Sequence, residues 1–90
     1  MKRSMATAVL LAATMIGCDK PIENPDPIAL DKIPAGVMKI AKRELPGVDF
    51  EKAWTGKVEG KLAYEIRGRK ADGTYREIKI SESGKVIEIE

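Results

Sequence analysis

The chain has no histidine and only one cysteine among its 90 residues. Histidine is the most common metal ligand and the usual general base near neutral pH, so its absence removes every Ser-His or Cys-His catalytic pair. A single cysteine can form neither an internal disulfide bond nor a cysteine cluster that holds zinc. From these absences we expect a protein that is not an enzyme and that needs no metal or other cofactor.

An excess of charge of one sign is missing as well. Sixteen Lys and Arg residues stand against fourteen Asp and Glu residues, and Lys2 and Arg3 belong to a segment that we expect to be removed, which leaves fourteen of each sign. Interspersed charges without a basic stripe argue against nucleic-acid binding. A length of 90 residues further limits the chain to one small domain.

A long hydrophobic run is also absent, because the longest apolar stretch covers only residues 6–16 and is interrupted by Thr7 and Thr14. A membrane-spanning helix needs about twenty apolar residues. A short apolar stretch after basic residues such as Lys2 and Arg3 is typical of a secretory signal peptide. A buried amphipathic helix is the alternative, but the apolar residues here have no one-sided helical period. The sequence therefore predicts that residues 1–17 are a signal peptide that is removed.

The stretch ends in Met15-Ile16-Gly17-Cys18, which resembles the lipobox of bacterial lipoprotein signals. Gly17 and Cys18 match the lipobox, whereas Met15 replaces the usual leucine and Ile16 the usual small residue. The resemblance implies cleavage before Cys18, a diacylglycerol thioether on its sulfur and often a third acyl chain, such as palmitate, on the new amino terminus. Two or more acyl chains hold a protein stably on a bilayer. The alternative is an unmodified cysteine near an ordinary cleavage site, although a free thiol is unusual in an exported chain.

Asp19 follows the cysteine, and an aspartate at this position resembles the signal that retains enterobacterial lipoproteins in the inner membrane. The resemblance implies a lipid anchor in the bacterial cell envelope, with the inner membrane facing the periplasm favoured over the outer membrane. Cys18 is thus the predicted lipidation site, through which the chain contacts the lipid bilayer, and Asp19 is the predicted sorting signal.

Residues 18–30 are expected to form the lipid anchor and a proline-rich tether. Three of the nine residues from Asp19 to Pro27 are prolines, which fix φ and disfavour helix at the residue before them. The segment is therefore predicted to be an extended spacer that holds the folded part about 25 Å from the bilayer. A proline-rich ligand for an aromatic groove in another protein is the alternative.

Residues 31–90 are expected to fold as one α+β domain that begins with an amphipathic helix. Asp31 is a suitable helix cap and Pro34 suits the first turn. Apolar residues then recur at helical spacing until Pro46-Gly47 ends the pattern. Such a helix can also lie on a membrane surface, but the predicted sheet needs it as cover. The apolar residues of the helix are Ile33, Val37, Ile40, Ala41 and Leu45.

After Gly47 the apolar period changes to two, and glycine-containing turns divide the sequence into four strands. We expect three-residue loops at 58–60 and 71–73 and a two-residue turn at 83–84. The predicted fold is therefore one amphipathic helix packed on one face of a four-stranded antiparallel meander sheet. The turns predict the strand pairs Trp54 with Tyr64, Ile66 with Ile78, Tyr64 with Ile80, Ile80 with Ile87, and Ile78 with Ile89.

The predicted pairing assigns the side chains of the strands to two faces. Lys52 and Arg76 would point to the apolar face, so each must lie beyond the helix or its strand must carry a bulge. The polar face, expected in water, comprises Glu51, Ala53, Thr55, Glu65, Arg67, Tyr75, Glu77, Lys79 and Glu88. The apolar face, covered by the helix, comprises Phe50, Trp54, Leu62, Tyr64, Ile66, Ile78, Ile80, Ile87 and Ile89.

Short motifs along residues 33–90 resemble those of PepSY or PepSY-like domains, in which a helix ends in Pro-Gly, a strand contains Tyr-Glu before an aliphatic residue, and two strands are joined by Gly-Lys-Val. The resemblance implies a small module that binds or restrains a peptidase or another protein of the bacterial envelope, and such a target is expected to act in trans. The motifs are Pro34, Pro46-Gly47, Tyr64-Glu65-Ile66, Asp72-Gly73, Glu77-Ile78 and Ser83-Gly84-Lys85-Val86.

The sequence therefore favours a membrane-anchored envelope lipoprotein with a small, non-enzymatic, protein-binding or peptidase-regulating module. Tyr75 on the polar face is the first candidate for partner contact, and Trp54 is a second candidate that core packing would otherwise explain. One alternative is a structural envelope lipoprotein without a specific partner. Another is a hydrolase that uses Glu51, Glu65 and Glu77, but an open sheet lacks the cleft that such chemistry needs.

Overall fold

The computed structural model describes residues 20–90, so the predicted signal peptide, Cys18 and Asp19 lie outside the described residues. The strands follow one another in the sheet in chain order and are antiparallel. Within residues 20–90, no helix is long and apolar enough to cross a membrane. The elements are β1 (Glu23–Pro27), a 3-10 turn (Leu30–Lys32), α1 (Ala35–Glu44), β2 (Asp49–Val58), β3 (Lys61–Arg69), β4 (Tyr75–Ser81) and β5 (Val86–Ile89).

The predicted α+β class, with one helix and an antiparallel meander, is confirmed, but the sheet has five strands and not four. The additional strand, β1, comes from the segment interpreted as a tether and pairs with the outer edge of β2, where Asp26 lies opposite Thr55. Its prolines are tolerated because an edge strand needs to donate hydrogen bonds on one side only. The extended conformation expected for residues 23–27 is therefore present, but these residues belong to the sheet and are not a free spacer.

Helix α1 begins later than expected and ends where expected. Asp31 lies in the preceding 3-10 turn, and Pro34 occupies the N-cap position without a side-chain hydrogen bond, so the expected cap by Asp31 is wrong. Leu45 is the C-cap, and Gly47 follows with φ of 82°. Because glycine adopts this left-handed conformation without a steric penalty, Pro46-Gly47 turns the chain away from the helix axis.

The core lies between α1 and one face of the sheet. Residues spaced four apart along α1 and its flanks form the helix side, and these positions stack on one face of a helix. On the sheet side, Ile66, Ile78 and Ile80 are completely buried. The prediction that the helix packs on one face of the sheet is thus confirmed. The buried cluster comprises Ile33, Val37, Ala41, Leu45, Ala53, Tyr64, Ile66, Ile78 and Ile80.

The turn between β2 and β3 is one residue shorter than expected. Val58 lies opposite Lys61, so only Glu59 and Gly60 form the turn. Both have positive φ, 52° and 79°, as in the common two-residue hairpin turn whose twist matches that of the strands. The expected three-residue loop at 58–60 is wrong.

This shorter turn shifts β2 by one residue and exchanges its two faces. Trp54 lies opposite Glu65 and not opposite Tyr64, so the predicted pairing and the predicted core position of Trp54 are wrong. Ala53, expected in water, is buried in the core, and Thr55 lies opposite Tyr64. Trp54 instead belongs to the face of the sheet opposite α1, called the rear face below, with Glu65, Arg67 and Lys79 of the next two strands.

A bulge between Phe50 and Lys52 corrects the alternation at the start of β2. Phe50 lies opposite Gly68 and packs against the core, whereas Lys52 lies opposite Arg67 on the rear face. A bulge, one of the two alternatives expected for Lys52, is therefore present, although the exchange of the two faces of β2 is what places Lys52 on the rear face. Arg76 lies opposite Gly68 at the start of β4, where its Nε donates a hydrogen bond to the carbonyl oxygen of Glu90 at 3.1 Å.

The pairing of β3 with β4 is as predicted, with Ile66 opposite Ile78 and Tyr64 opposite Ile80. Ile78 also lies opposite Ile89 as expected, but Ile80 lies opposite Val86 and not opposite Ile87.

This difference arises in the β4–β5 turn. The backbone N–H of Ser81 donates to the carbonyl oxygen of Lys85 at 2.8 Å, so three residues, 82–84, form the loop. The two-residue turn expected at Ser83-Gly84 is wrong. Ile87 lies at the resulting register shift in β5.

Candidate partner-binding surface

Two aromatic rings, each covered by a guanidinium group, lie on the rear face. The Cζ atom of Arg67 lies 4.8 Å from the centre of the Trp54 ring, and that of Arg69 lies 5.1 Å from the centre of the Tyr75 ring. Alternate residues of a strand point to the same face, so Arg67 and Arg69 of β3 bridge the ring from β2 and the ring from β4. We call Trp54, Arg67, Arg69 and Tyr75 the arginine-aromatic surface.

Carboxylates on the neighbouring strands hold the two guanidinium groups in place. Arg69 Nε lies 3.2 Å from Glu51 Oε2, and Arg67 Nε lies 3.9 Å from Glu77 Oε1. Each such surface ion pair contributes about 0–1 kcal/mol, and each stacked ring about 0.5–1 kcal/mol. Tyr75 stays 57% exposed. The surface thus presents aromatic and cationic groups to solvent in positions set by the sheet.

The sequence identified both aromatic residues of this surface, although it placed Trp54 in the core. The two arginines were not identified as site residues. Because they are two residues apart in β3, their side chains are expected on the same face of the sheet. Only the pairing of β3 with β2 and β4 shows that each arginine lies against an aromatic ring.

Among the three carboxylates of the hydrolase alternative, Glu51 and Glu77 form the ion pairs described above, and Glu65 lies opposite Lys79. In the part of the chain that the structure describes, no group of three or more Asp, Glu or Cys side chains is arranged to hold a metal ion.

Residues 20–22, called the strap below, cross the rear face beside this surface. The carbonyl oxygen of Lys20 accepts a hydrogen bond from Lys79 Nζ at 2.9 Å. Ile22 lies over Gly56, where an added Cβ would be 2.8 Å from Ile22 Cγ1 and 2.6 Å from the Glu23 carbonyl oxygen. The absence of a side chain at Gly56 therefore makes room for the strap. Ala63, opposite Gly56 in β3, is completely buried.

Lys79 connects the strap to β5. Its Nζ atom donates a second hydrogen bond to Glu88 Oε1 at 2.8 Å, and the residue is only 7% exposed. Burial pulls the pKa of Lys79 down, but the hydrogen bond to Glu88 and the surrounding carboxylates raise it above its ordinary value. Burial likewise pushes the pKa of Glu88 up, but hydrogen bonds from Lys79 and Glu90 bring it below its ordinary value. Both groups of this pair are charged at neutral pH.

Glu90 lies beside Glu88, whose hydrogen bond and negative charge raise the pKa of the Glu90 carboxyl. A raised pKa means that the folded state favours the protonated form, so ionised Glu90 opposes folding at neutral pH. We expect Glu90→Gln to stabilise the domain at pH 7 by about 0.3 kcal/mol, a small effect because solvent screens this exposed group. The gain should shrink as the pH falls towards 4, where the wild-type carboxyl is protonated and resembles the amide.

Urea unfolding between pH 4 and pH 7 measures this difference. Glu82→Gln, in the exposed β4–β5 loop, is the matched control and should show no comparable gain. Equal stability of Glu90→Gln and wild type at both pH values would contradict the proposed repulsion between Glu88 and Glu90.

Trp54 is the only tryptophan, so its fluorescence reports the state of the arginine-aromatic surface. We expect Arg67→Ala to increase quenching by acrylamide, because the guanidinium group that covers one side of the indole is removed. The stability cost should stay near about 1 kcal/mol, the size of a single cation–π contact. Arg69→Ala, which uncovers Tyr75 instead, is the control and should leave quenching unchanged. Wild-type emission typical of a fully buried indole would contradict the rear-face position of Trp54.

Comparison of the chain with models of known protein families gives no match, and neither curated protein sequences nor solved structures give one.

Proposed function

We propose that this chain is a lipoprotein of the bacterial cell envelope, attached to the membrane through acylated Cys18, whose folded part is a small PepSY-like module that binds another envelope protein without catalysis. The observation that supports binding most directly is the arginine-aromatic surface. Trp, Tyr and Arg are the residues most enriched at energetic hot spots of protein interfaces. Tyr75 and Trp54 are the proposed contact residues, and Arg67 and Arg69 position their rings.

The rest of the fold supports this choice of surface. Helix α1 covers one face of the sheet, the strap covers part of the other, and prolines at 25 and 27 in β1 limit pairing of that edge with another strand. The arginine-aromatic surface lies on the remaining part of the rear face. The proposed partner is a peptidase or another envelope protein that acts in trans, and an exposed apolar or aromatic side chain on it would pack against the Trp54 and Tyr75 rings.

Mass spectrometry of the mature protein tests the anchor. The expected result is an amino-terminal peptide that begins at acylated Cys18, together with recovery of the protein in the membrane fraction. An intact Met1 or an unmodified Cys18 would contradict the lipoprotein proposal. Separation of inner and outer membranes then tests the sorting signal proposed at Asp19, for which we expect recovery with the inner membrane.

Site-specific photo-cross-linking in intact cells tests partner binding. A photoreactive phenylalanine derivative at Tyr75 should give one dominant protein adduct, and the same group at Lys39 on the outer side of α1 should not. Arg67→Ala should reduce the amount of adduct formed at position 75, because it releases the Trp54 ring, the second proposed contact, from its fixed position. Lys42→Ala should leave the amount of adduct unchanged. Absence of an adduct at Tyr75 would instead favour a structural lipoprotein without a specific partner.

A further inference from the structure

A cleft of about 310 Å³ lies between the β2–β3 turn and the β4–β5 loop, next to the strap. Three lysines, Lys20, Lys61 and Lys85, line it together with Glu59. Val58 and Ile87 contribute apolar surface to the same cleft. We call this the lysine cleft. It is separate from the arginine-aromatic surface, with which it shares no residue.

The cleft carries a local excess of positive charge. Glu59 Oε2 lies 3.2 Å from Lys20 Nζ, so these two charges compensate each other. Among residues 20–90, Lys61 and Lys85 form no ion pair. Two lysines without an ion-pair partner beside one cleft attract an anion, and lysine binds phosphate as a flexible point charge.

The lysine cleft is close in sequence to the predicted lipidation site, because Lys20 lines the cleft. Lys79 Nζ donates a hydrogen bond to the carbonyl oxygen of Lys20 at 2.9 Å, which holds Lys20 on the rear face. Cys18 precedes Lys20 by only two residues in the sequence, and two residues of chain span at most about 7 Å. An acylated Cys18 is located at the membrane surface. The lysine cleft would then lie at the level of the lipid headgroups, and not about 25 Å away as a free tether would allow.

We propose that the lysine cleft binds the phosphate group of an anionic phospholipid in the membrane that holds Cys18, an inference that rests on the proposed lipid anchor. Lys61 and Lys85 contact the phosphate, and the apolar surface of Val58 and Ile87 faces the glycerol end of the lipid. Each basic residue near an anionic membrane surface adds to binding. The lipid thus provides a second contact that fixes the orientation of the domain on the bilayer.

Lysine labelling of the acylated mature protein in lipid nanodiscs tests this inference. One preparation contains phosphatidylcholine alone, and the other contains phosphatidylglycerol as well. A bound phosphate stabilises the protonated amine, which does not react with acetylating reagents. We expect acetylation of Lys61 and Lys85 to slow about fivefold when phosphatidylglycerol is present. Lys39 and Lys42 of α1 should react at the same rate in both preparations.

A variant of the cleft and a competing anion, inorganic phosphate, test the assignment further. Lys61→Gln should remove most of the protection of Lys85, whereas Lys42→Gln should leave that protection intact. Inorganic phosphate added to phosphatidylcholine nanodiscs should protect neither lysine at the phosphate concentration that phosphatidylglycerol supplies. Equal protection by inorganic phosphate would overturn the lipid assignment in favour of a free anion.

The outcome separates this inference from the lipoprotein proposal. An acylated Cys18 with unprotected Lys61 and Lys85 overturns the lipid site and leaves the anchor in place. A mature chain without acylation at Cys18, identified by intact mass, overturns the anchor and the lipid site together.

Discussion

Gly68→Ala is expected to destabilise the domain by about 3 kcal/mol, the size of a severe overpacking defect. Gly68 lies in β3 opposite Phe50, where the bulge in β2 brings the two backbones together. A Cβ at this position would overlap the carbonyl oxygen of Asp49 and would lie 2.6 Å from Phe50 Cα. These are backbone atoms, so relief of the overlap requires displacement of β2 and loss of strand hydrogen bonds. Glycine is therefore required at position 68 because the backbones of β2 and β3 approach each other closely, and not because of the φ and ψ angles of Gly68.

Urea unfolding of wild type and variant measures the change. Gly36→Ala is the matched control, because an added Cβ at Gly36 meets nothing within 4 Å and alanine favours the helix by about 0.5 kcal/mol or more. The two substitutions are chemically identical, so they should shift stability in opposite directions. If Gly68→Ala unfolds at the same urea concentration as wild type, the close approach of β2 and β3 at the bulge is contradicted.

Lys79→Met is expected to lower stability by about 3 kcal/mol, because removal of one member of a nearly buried ion pair leaves the other uncompensated. Methionine keeps most of the side-chain volume but cannot donate to Glu88 or to the Lys20 carbonyl oxygen. The strap should therefore detach from the rear face. Hydrogen exchange should show this as faster exchange of the Ile22 and Glu23 amides, while amides in the centre of β3 remain comparatively protected.

Two further variants identify the cause of that loss. Lys79→Met combined with Glu88→Leu removes both charges, and an apolar pair of similar volume often restores stability lost in the single variant. We expect the double variant to be more stable than Lys79→Met alone, although its strap remains released. Lys39→Met on the exposed side of α1 is the control for the substitution itself. Equal loss in the single and double variants would contradict the dominant role of the uncompensated Glu88 charge.

We expect the same pair to contribute to the loss of stability in acid. The lowered pKa of Glu88 means that its contribution to stability is present above its ordinary pKa and is lost as the pH falls through the lowered value. The Lys79 pKa is raised, so the ammonium group stays charged throughout that range. Acid should therefore weaken the attachment of the strap through Glu88 and not through Lys79.

Much of the candidate partner-binding surface was visible in the sequence as residue types and not as positions. Tyr75 follows a glycine turn at the start of a strand, and the alternation of β4 assigns it to the rear face. Trp54 was assigned to the wrong face because a three-residue loop was expected at 58–60. Its small neighbours Ala53 and Thr55 carry little hydrophobic contrast that would oppose this assignment, and the two-residue turn at Glu59-Gly60 determines the opposite orientation.

The sequence by itself determined the class of the fold, the end of α1 at Pro46-Gly47 and the pairing of β3 with β4. Strong local signals suffice for these features, since helical spacing, glycine turns and alternating isoleucines each act over a few residues. Only the tertiary structure decided which residues of β2 face the core, because one residue of turn length reverses every side chain of a strand.

The tertiary structure also decided the positions of β1, the strap and Lys79. Residues 23–27 have no apolar pattern that indicates a strand, and they form one because β2 offers an unpaired edge. Lys79 reads as a solvated surface residue in its own strand, yet it is buried because Lys20 and Glu88 approach it from 59 and 9 residues away in sequence. Contacts over such separations depend on how the strands are assembled, and no local pattern encodes them.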